Sequence, residues 1–287
     1  MPGKPLIRLT VISLCIFAWG CGPAQLNQVK QDARHAGFRE LILPSGYFNL
    51  YTLVKTTPGY ESATIYIEGD GYAFVSRNRV SRNPTPGNPM GMRLALADDS
   101  ANVFYLGRPC QYIDLSNEPN CHARFWTIAR SSSEVVESMN SAIDQLKARF
   151  GITRLRLVGY SGGATIAAIL AAIRRDITDL RTVAGNLDID TFTRVHGVTP
   201  LSESLNPVSY AADLVTVPQL HFQGGRDMVI GDEIFSSYRS ALQKHDPVSK
   251  CIDMRVIDDV SHEDGWDTVW PLLNQVPVVC KAHYKSP

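Results

Sequence analysis

Apolar residues recur along the chain with two periods. Positions 38–43 and 47–54 alternate between apolar and polar, with Pro44-Ser45-Gly46 between them, which predicts two strands joined as a hairpin. Residues 63–67 predict a third strand, and it runs into Glu68-Gly69-Asp70-Gly71. A loop rich in Arg, Asn and Pro follows over 76–89, then a helix over 90–97 and a strand over 102–106. Ser131-Ser132-Ser133-Glu134 has the spacing of a capping box, ahead of a long amphipathic helix that ends near residue 149. Beyond it the pattern reads as a strand at 155–158, a helix from 164, a strand at 180–184 and a loop-rich stretch at 186–217. A strand at 219–223, a helix at 232–244, a last strand at 251–257 and a closing helix opening at Gly265-Trp266 complete it. Strands that alternate with helices after an opening hairpin predict the α/β class: a mostly parallel twisted sheet covered by helices on both faces.

One stretch, Leu155 to Ala172, stands apart chemically. A strand-length apolar run leads into Gly159-Tyr160-Ser161-Gly162-Gly163, and an Ala/Ile/Leu run suited to a buried helix follows. A serine set between strand and helix in G-x-S-x-G needs small neighbours, because the turn brings backbone against backbone. The helix N-terminus points N–H groups at the same spot. An exposed nucleophile and a donor for a developing oxyanion thus fall within five residues, which makes Ser161 the candidate nucleophile and the Gly162 N–H a candidate donor.

Composition narrows the rest. Lys plus Arg equals Asp plus Glu at 28 each, so no net charge favours nucleic acid or an anionic membrane surface. The first residues read as a leader: Lys4 and Arg8 precede an apolar run over 9–19 that is too short to span a bilayer comfortably. Ala18-Trp19-Gly20-Cys21-Gly22 resembles the end of a bacterial lipoprotein signal, in which Cys21 becomes the lipidated first residue. The expectation is a leader over 1–21, export to the cell envelope, as an outer-membrane lipoprotein or a periplasmic protein, and a single domain over 35–287 with a small cap at 186–217. Of six cysteines, four lie beyond the leader, an even number that points to disulfides in an exported chain. Locality favours Cys110–Cys121 and Cys251–Cys280.

The order, spacing and motifs from about residue 38 to 277 resemble the α/β-hydrolase fold, and in particular small exported bacterial serine hydrolases. That resemblance places the general base on the loop after the last strand, where His262 stands, and the acid after the penultimate strand, where Asp227 stands. The chain order Ser, Asp, His is also the family's. Asp188 and Asp190 follow the preceding strand, a position some members use. Asp258 and Asp259 sit close to His262 in sequence but at the same strand end. The loop after the third strand, Glu68-Gly69-Asp70-Gly71, looks like the family's His-Gly-x-Gly, which makes the Asp70 N–H the second oxyanion donor and Gly71 its alternative. Glu68 stands where the family has histidine, and two carboxylates there must be turned away or paired, with Arg77 or Arg130 as candidate partners.

Other readings fall away on the residues. His262-Glu263-Asp264-Gly265-Trp266 lacks the second histidine of a zinc-binding H-E-x-x-H, so no metal is expected. Gly69-x-Gly71 lacks the third glycine of a dinucleotide fingerprint, and Ser161-Gly162-Gly163-Ala164 lacks the Lys-Ser/Thr of a phosphate loop, so no cofactor is expected. His221 lies inside an apolar strand and reads as a core residue. The expected activity is hydrolysis of carboxylic esters through an acyl-enzyme on a small ester or acyl substrate. Peptidase or thioesterase chemistry on the same site, or a non-catalytic envelope binding protein on the same fold, are the alternatives. Arg77, Arg79 and Arg82, in a loop without acidic residues, are expected to rim the pocket and to favour esters bearing a negative group.

Overall fold

The computed structural model describes residues 21–278 and 280. Of the leader expected over 1–21, all but Cys21 lies outside these residues. Cys21 opens the first helix, but its side chain is outside what is described.

The opening hairpin forms as its alternation dictates: β1 (Arg39–Ser45) pairs antiparallel with β2 (Phe48–Lys55) around Gly46, whose φ of 74° makes the turn. The sheet has eight strands. Its other members are β3 (Ser62–Ile67), β6 (Val103–Leu106), β7 (Arg154–Tyr160), β8 (Ile177–Val183), β9 (Gln219–Gly224) and β10 (Ile252–Ile257), and β4 (Phe74–Ser76) and β5 (Arg79–Val80) form a separate ribbon. The order is β1-β2-β6-β3-β7-β8-β9-β10, antiparallel as far as β6 and parallel from there on. β3 and β7 lie side by side, with Ile67 opposite Gly159, so the loops after them emerge together.

Helices cover both faces. α3 (Ser133–Phe150), α4 (Gly162–Ile173) and α7 (Asp232–Gln243) contribute to one apolar core. α1 (Cys21–His35), α2 (Met90–Leu96) and α8 (Trp266–Leu273) contribute to the other. α4 is apolar all round because it is buried all round, from Gly162 to Ala172. Each of its fully buried Ile and Leu side chains contributes on the order of 1.5–3 kcal/mol by leaving water.

Several elements differ from the sequence reading, the β4–β5 ribbon among them. α1 was not among the expected elements, yet Val29 and Ala33 on it are fully covered. The stretch at 186–217 contains α5 (Ile189–His196), N-capped by Asp188, and a short α6 (Ala211–Leu214). The expected capping box is not made: α3 starts one residue later, with Ser132 at its N-cap and no side-chain cap bond.

Candidate active site

Ser161 sits at the turn from β7 into α4 with φ 50° and ψ −121°, a conformation that L residues rarely hold. The neighbours enforce it. A β-carbon on Gly159 would lie 2.5 Å from the α-carbon of Ala164, and one on Gly163 would overlap the carbonyl oxygens of Ile67 and Glu68. The two outer glycines therefore let α4 fold back against β7 and against the end of β3, which leaves the serine hydroxyl at the sheet's carboxyl edge.

The loops after β9 and β10 bring the other two residues to the same place. His262 Nε2 lies 3.1 Å from Ser161 Oγ, and His262 Nδ1 lies 2.8 Å from Asp227 Oδ2. The Asp227 side chain is fully buried, and its Oδ1 accepts the N–H groups of Val229 at 2.7 Å and Ile230 at 2.9 Å. That fixes the carboxylate before the imidazole meets it. The rival acids are elsewhere. Asp188 accepts from Thr191, Asn206 and Ser237, and although burial works against its charge these hydrogen bonds hold its carboxyl below the ordinary range. Asp190 accepts from Asn206, while Asp258 and Asp259 are exposed. His221 is a core residue: Thr182 and Gln219 flank its ring, and burial pushes its pKa down to about 3.

The Glu68–Gly71 loop faces the serine. Glu68 is 1% exposed and does not point its charge at the site. Its Oε1 accepts the N–H groups of Gly69 at 2.9 Å and Gly91 at 3.0 Å, and its Oε2 accepts Met92 N–H at 3.2 Å and the Tyr105 hydroxyl at 2.8 Å. Burial still raises its pKa against these donors. Asp70 is paired: Arg108 Nη1 lies 3.1 Å from Oδ1 and Arg130 Nη1 lies 2.5 Å from Oδ2. Burial alone would raise this carboxyl, but the two guanidinium groups hold it below the ordinary value. Among the described residues the Asp70 N–H has no hydrogen-bond acceptor. A β-carbon on Gly162 would run into the Asp70 carboxylate, so the side chain of Asp70 lies directly against Gly162.

A cavity of about 210 Å³ opens over these groups, walled by Gly69, Asp70, Tyr72, Pro86, Ser161 and His262 among others. Arg77, Arg79 and Arg82 do not line it. The β4–β5 ribbon carries Arg77 and Arg79 and the loop after it carries Arg82, all three exposed at the surface, and Arg77 lines a different cavity beside Arg130 and Phe192. Of the two candidate partners for the acidic loop, Arg130 takes the role and Arg77 does not. Cys110 and Cys121 form a disulfide, as do Cys251 and Cys280. The first staples the loop after β6 that holds Arg108 and Gln111, and Gln111 Nε2 donates to the Gly69 carbonyl at 3.0 Å.

A family model described as serine hydrolase (FSH1) matches residues 92–248, more than half of the chain. The chain belongs to this serine hydrolase family. The matched region contains Ser161 and Asp227 and ends before His262. Among curated proteins none matches the chain in sequence. Solved structures share the fold of this serine hydrolase at low identity. An esterase of Pyrococcus furiosus is 13% identical, with a TM-score of 0.55 over 84% of this chain and 90% of that one. An α/β serine hydrolase homologue from Coxiella burnetii is 15% identical, with a TM-score of 0.54 over 83% and 94%. An acylaminoacyl peptidase of Pyrococcus horikoshii is 12% identical, with a TM-score of 0.57 over 82% of this chain but 38% of the peptidase.

Three residues of the hydrolase's site carry no signal in the sequence. Arg108 pairs with Asp70 from 38 positions away. The Tyr160 hydroxyl donates to the His262 carbonyl at 2.9 Å, and Asn88 Nδ2 donates to the Glu263 carbonyl at 3.0 Å, so both pin the histidine loop. The x of G-x-S-x-G and one Asn in a Pro-rich loop look ordinary until the fold brings that loop to them.

Proposed function

We propose that this serine hydrolase cleaves small carboxylic esters through an acyl-enzyme on Ser161, with His262 as general base and acid and Asp227 as the residue that orients the imidazole. One observation carries the reading: a single imidazole reaches Ser161 Oγ through Nε2 and Asp227 Oδ2 through Nδ1, at 3.1 and 2.8 Å. With Nδ1–H donated to the carboxylate, Nε2 keeps its lone pair toward the serine. As Oγ bonds to the ester carbon, Nε2 takes the serine proton, and it then returns that proton to the departing alkoxide. Water gives a proton to Nε2 as its oxygen bonds to the acyl carbon, and Nε2 passes that proton to Ser161 Oγ as the acyl–Oγ bond breaks, which releases the acid and restores Ser161. The N–H groups of Asp70 and Gly162 receive the oxyanion, with Gly71 as the alternative to Asp70, and the Arg108 and Arg130 pairing keeps the Asp70 carboxylate from opposing it. The esterase activity named for the Pyrococcus relative agrees with this substrate class.

The test is a fluorophosphonate probe together with turnover of p-nitrophenyl acetate. The native protein should be labelled and active, and Ser161→Ala should be neither. Full turnover in Ser161→Ala would overturn the mechanism.

The proposal extends to location. A leader ending at Cys21, with lipid on that residue, would place one hydrolase domain with a small cap at 186–217 at the cell envelope. The expected domain start at 35 is too late, because α1 packs on the core through Val29 and Ala33. The basic start, the apolar run and the even cysteine count beyond it support this. Among the described residues no helix is long and apolar enough to cross a membrane. Labelled fatty acid should enter the native protein and not Cys21→Ser.

A further inference from the structure

The cavity at Ser161 is small. A cavity of roughly 150 Å³ holds a benzene ring, so 210 Å³ takes the scissile ester and little more. Beside it lies a second cavity of about 650 Å³. The two share Tyr72, Pro86 and Gly87, which form a sill between them. Leu26 and Lys30 of α1 make one wall of the larger space, and Tyr112 and Ile113 make another.

We infer that this second cavity is a subsite for the neutral hydrocarbon group of the ester, with the amino-terminal helix as its wall. Two observations argue for an apolar, uncharged occupant, and a third ties it to the ester. Thr85 Oγ1 accepts the Tyr112 N–H at 2.7 Å. The Lys30 ammonium is engaged with aromatic faces, 4.4 Å from the Tyr51 ring centre and 5.5 Å from that of Tyr112, and burial lowers its pKa. Adjacency to the serine cavity points to the ester itself: a chain attached at Ser161 has apolar space just across the shared sill, whereas the cavity that Arg77 and Arg130 line shares no wall with the serine cavity.

The helix is also fastened to the catalytic loop. Gln25 Nε2 donates to Asn88 Oδ1 at 3.2 Å, Arg93 Nε donates to the same oxygen at 2.9 Å, and Asn88 Nδ2 reaches the Glu263 carbonyl at 3.0 Å, next to His262. Val29 and Ala33 anchor the helix on the core beneath. The wall is thus built into the site.

The inference rests on Ser161 being the nucleophile. Acetate and octanoate esters of p-nitrophenol vary the acyl end, and ethyl and octyl acetate vary the alcohol end. The native enzyme should prefer the long member of at least one series by about tenfold or more, as several buried methylenes require. Leu26→Trp fills the cavity from the helix and Ile113→Trp from the loop. Each should lower kcat/KM for that long ester by about tenfold and leave the short ester within about twofold. The series that responds names the end of the substrate that enters. Leu26 is half-buried on an outer helix, so Leu26→Trp decides if Ile113→Trp loses short-ester turnover as well. An unchanged long-to-short ratio in an active Leu26→Trp overturns the subsite and leaves the nucleophile standing. A native protein that neither turns over the short esters nor reacts with a fluorophosphonate overturns both.

Discussion

The Asp70 carboxylate is packed against the α-carbon of Gly162, and two arginines hold it there. The loop after β3 and the start of α4 therefore cannot move independently. A methyl group at Gly162 must displace the Asp70 side chain, its own backbone, or both. Gly162→Ala should lower kcat on p-nitrophenyl acetate by about 10²–10³-fold with little change in KM, the signature of lost oxyanion stabilisation. An unchanged kcat would remove Gly162 from the oxyanion site.

Asp227 is held by two backbone N–H groups and by His262. Asp227→Asn keeps the shape but offers an amide to Nδ1, which favours the wrong tautomer. A loss of about 10⁴-fold in kcat is expected. Ser161→Ala and His262→Ala should each remove nearly all turnover, and the double variant should cost little more, because the two act as a unit. Steady-state kinetics on the four proteins checks this.

Asp70 also contributes to stability. Its pKa is lowered in the folded state, so the contribution is fully present above the unfolded carboxyl value and is lost as pH falls through the folded value. Asp70→Asn leaves Arg108 buried without a counter-charge, and breaking such a buried pair costs roughly 3–5 kcal/mol. Urea denaturation at neutral pH should show that loss, and the gap between native and variant should narrow in acid.

His221 acts in the same direction over a higher pH window. It is buried and neutral, with its pKa pushed down to about 3. Between about pH 6.5 and that value the unfolded chain binds a proton that the folded chain refuses. Stability should therefore fall with acidification across this window, by up to about 1.4 kcal/mol per pH unit. His221→Gln should flatten the slope. Unfolding free energies measured at several pH values would decide it.

Much of this molecule was legible before any coordinates. Ser161 and its flanking strand and helix are encoded locally, since glycines, apolar runs and the turn all fall within a few residues. The resemblance to hydrolases pointed to Asp227 and His262, which the fold brings to one imidazole's reach. The direction of side chains was not legible. Arg77, Arg79 and Arg82 could be counted as a basic loop, but the ribbon that turns Arg77 and Arg79 outward depends on pairing between Phe74 and Val80. Arg108 was invisible because its partner is in another loop. α1 was missed for a different reason: Leu26, Val29 and Ala33 have helical spacing but stand among Gln, Asn, Lys and Asp, directly after a segment that reads as a leader.

The three-way attachment of Asn88 would make the position of any amino-terminal cleavage matter to the enzyme. A cut before Cys21 would keep α1 whole. Trimming past Gln25 and Leu26 would sever the tie to Asn88 and open one side of the hydrocarbon cavity, while every contact among Ser161, His262 and Asp227 stayed in place. Two maturation products of one gene would then share a reactive centre and differ in substrate preference, so amino-terminal processing would tune selectivity without touching the chemistry.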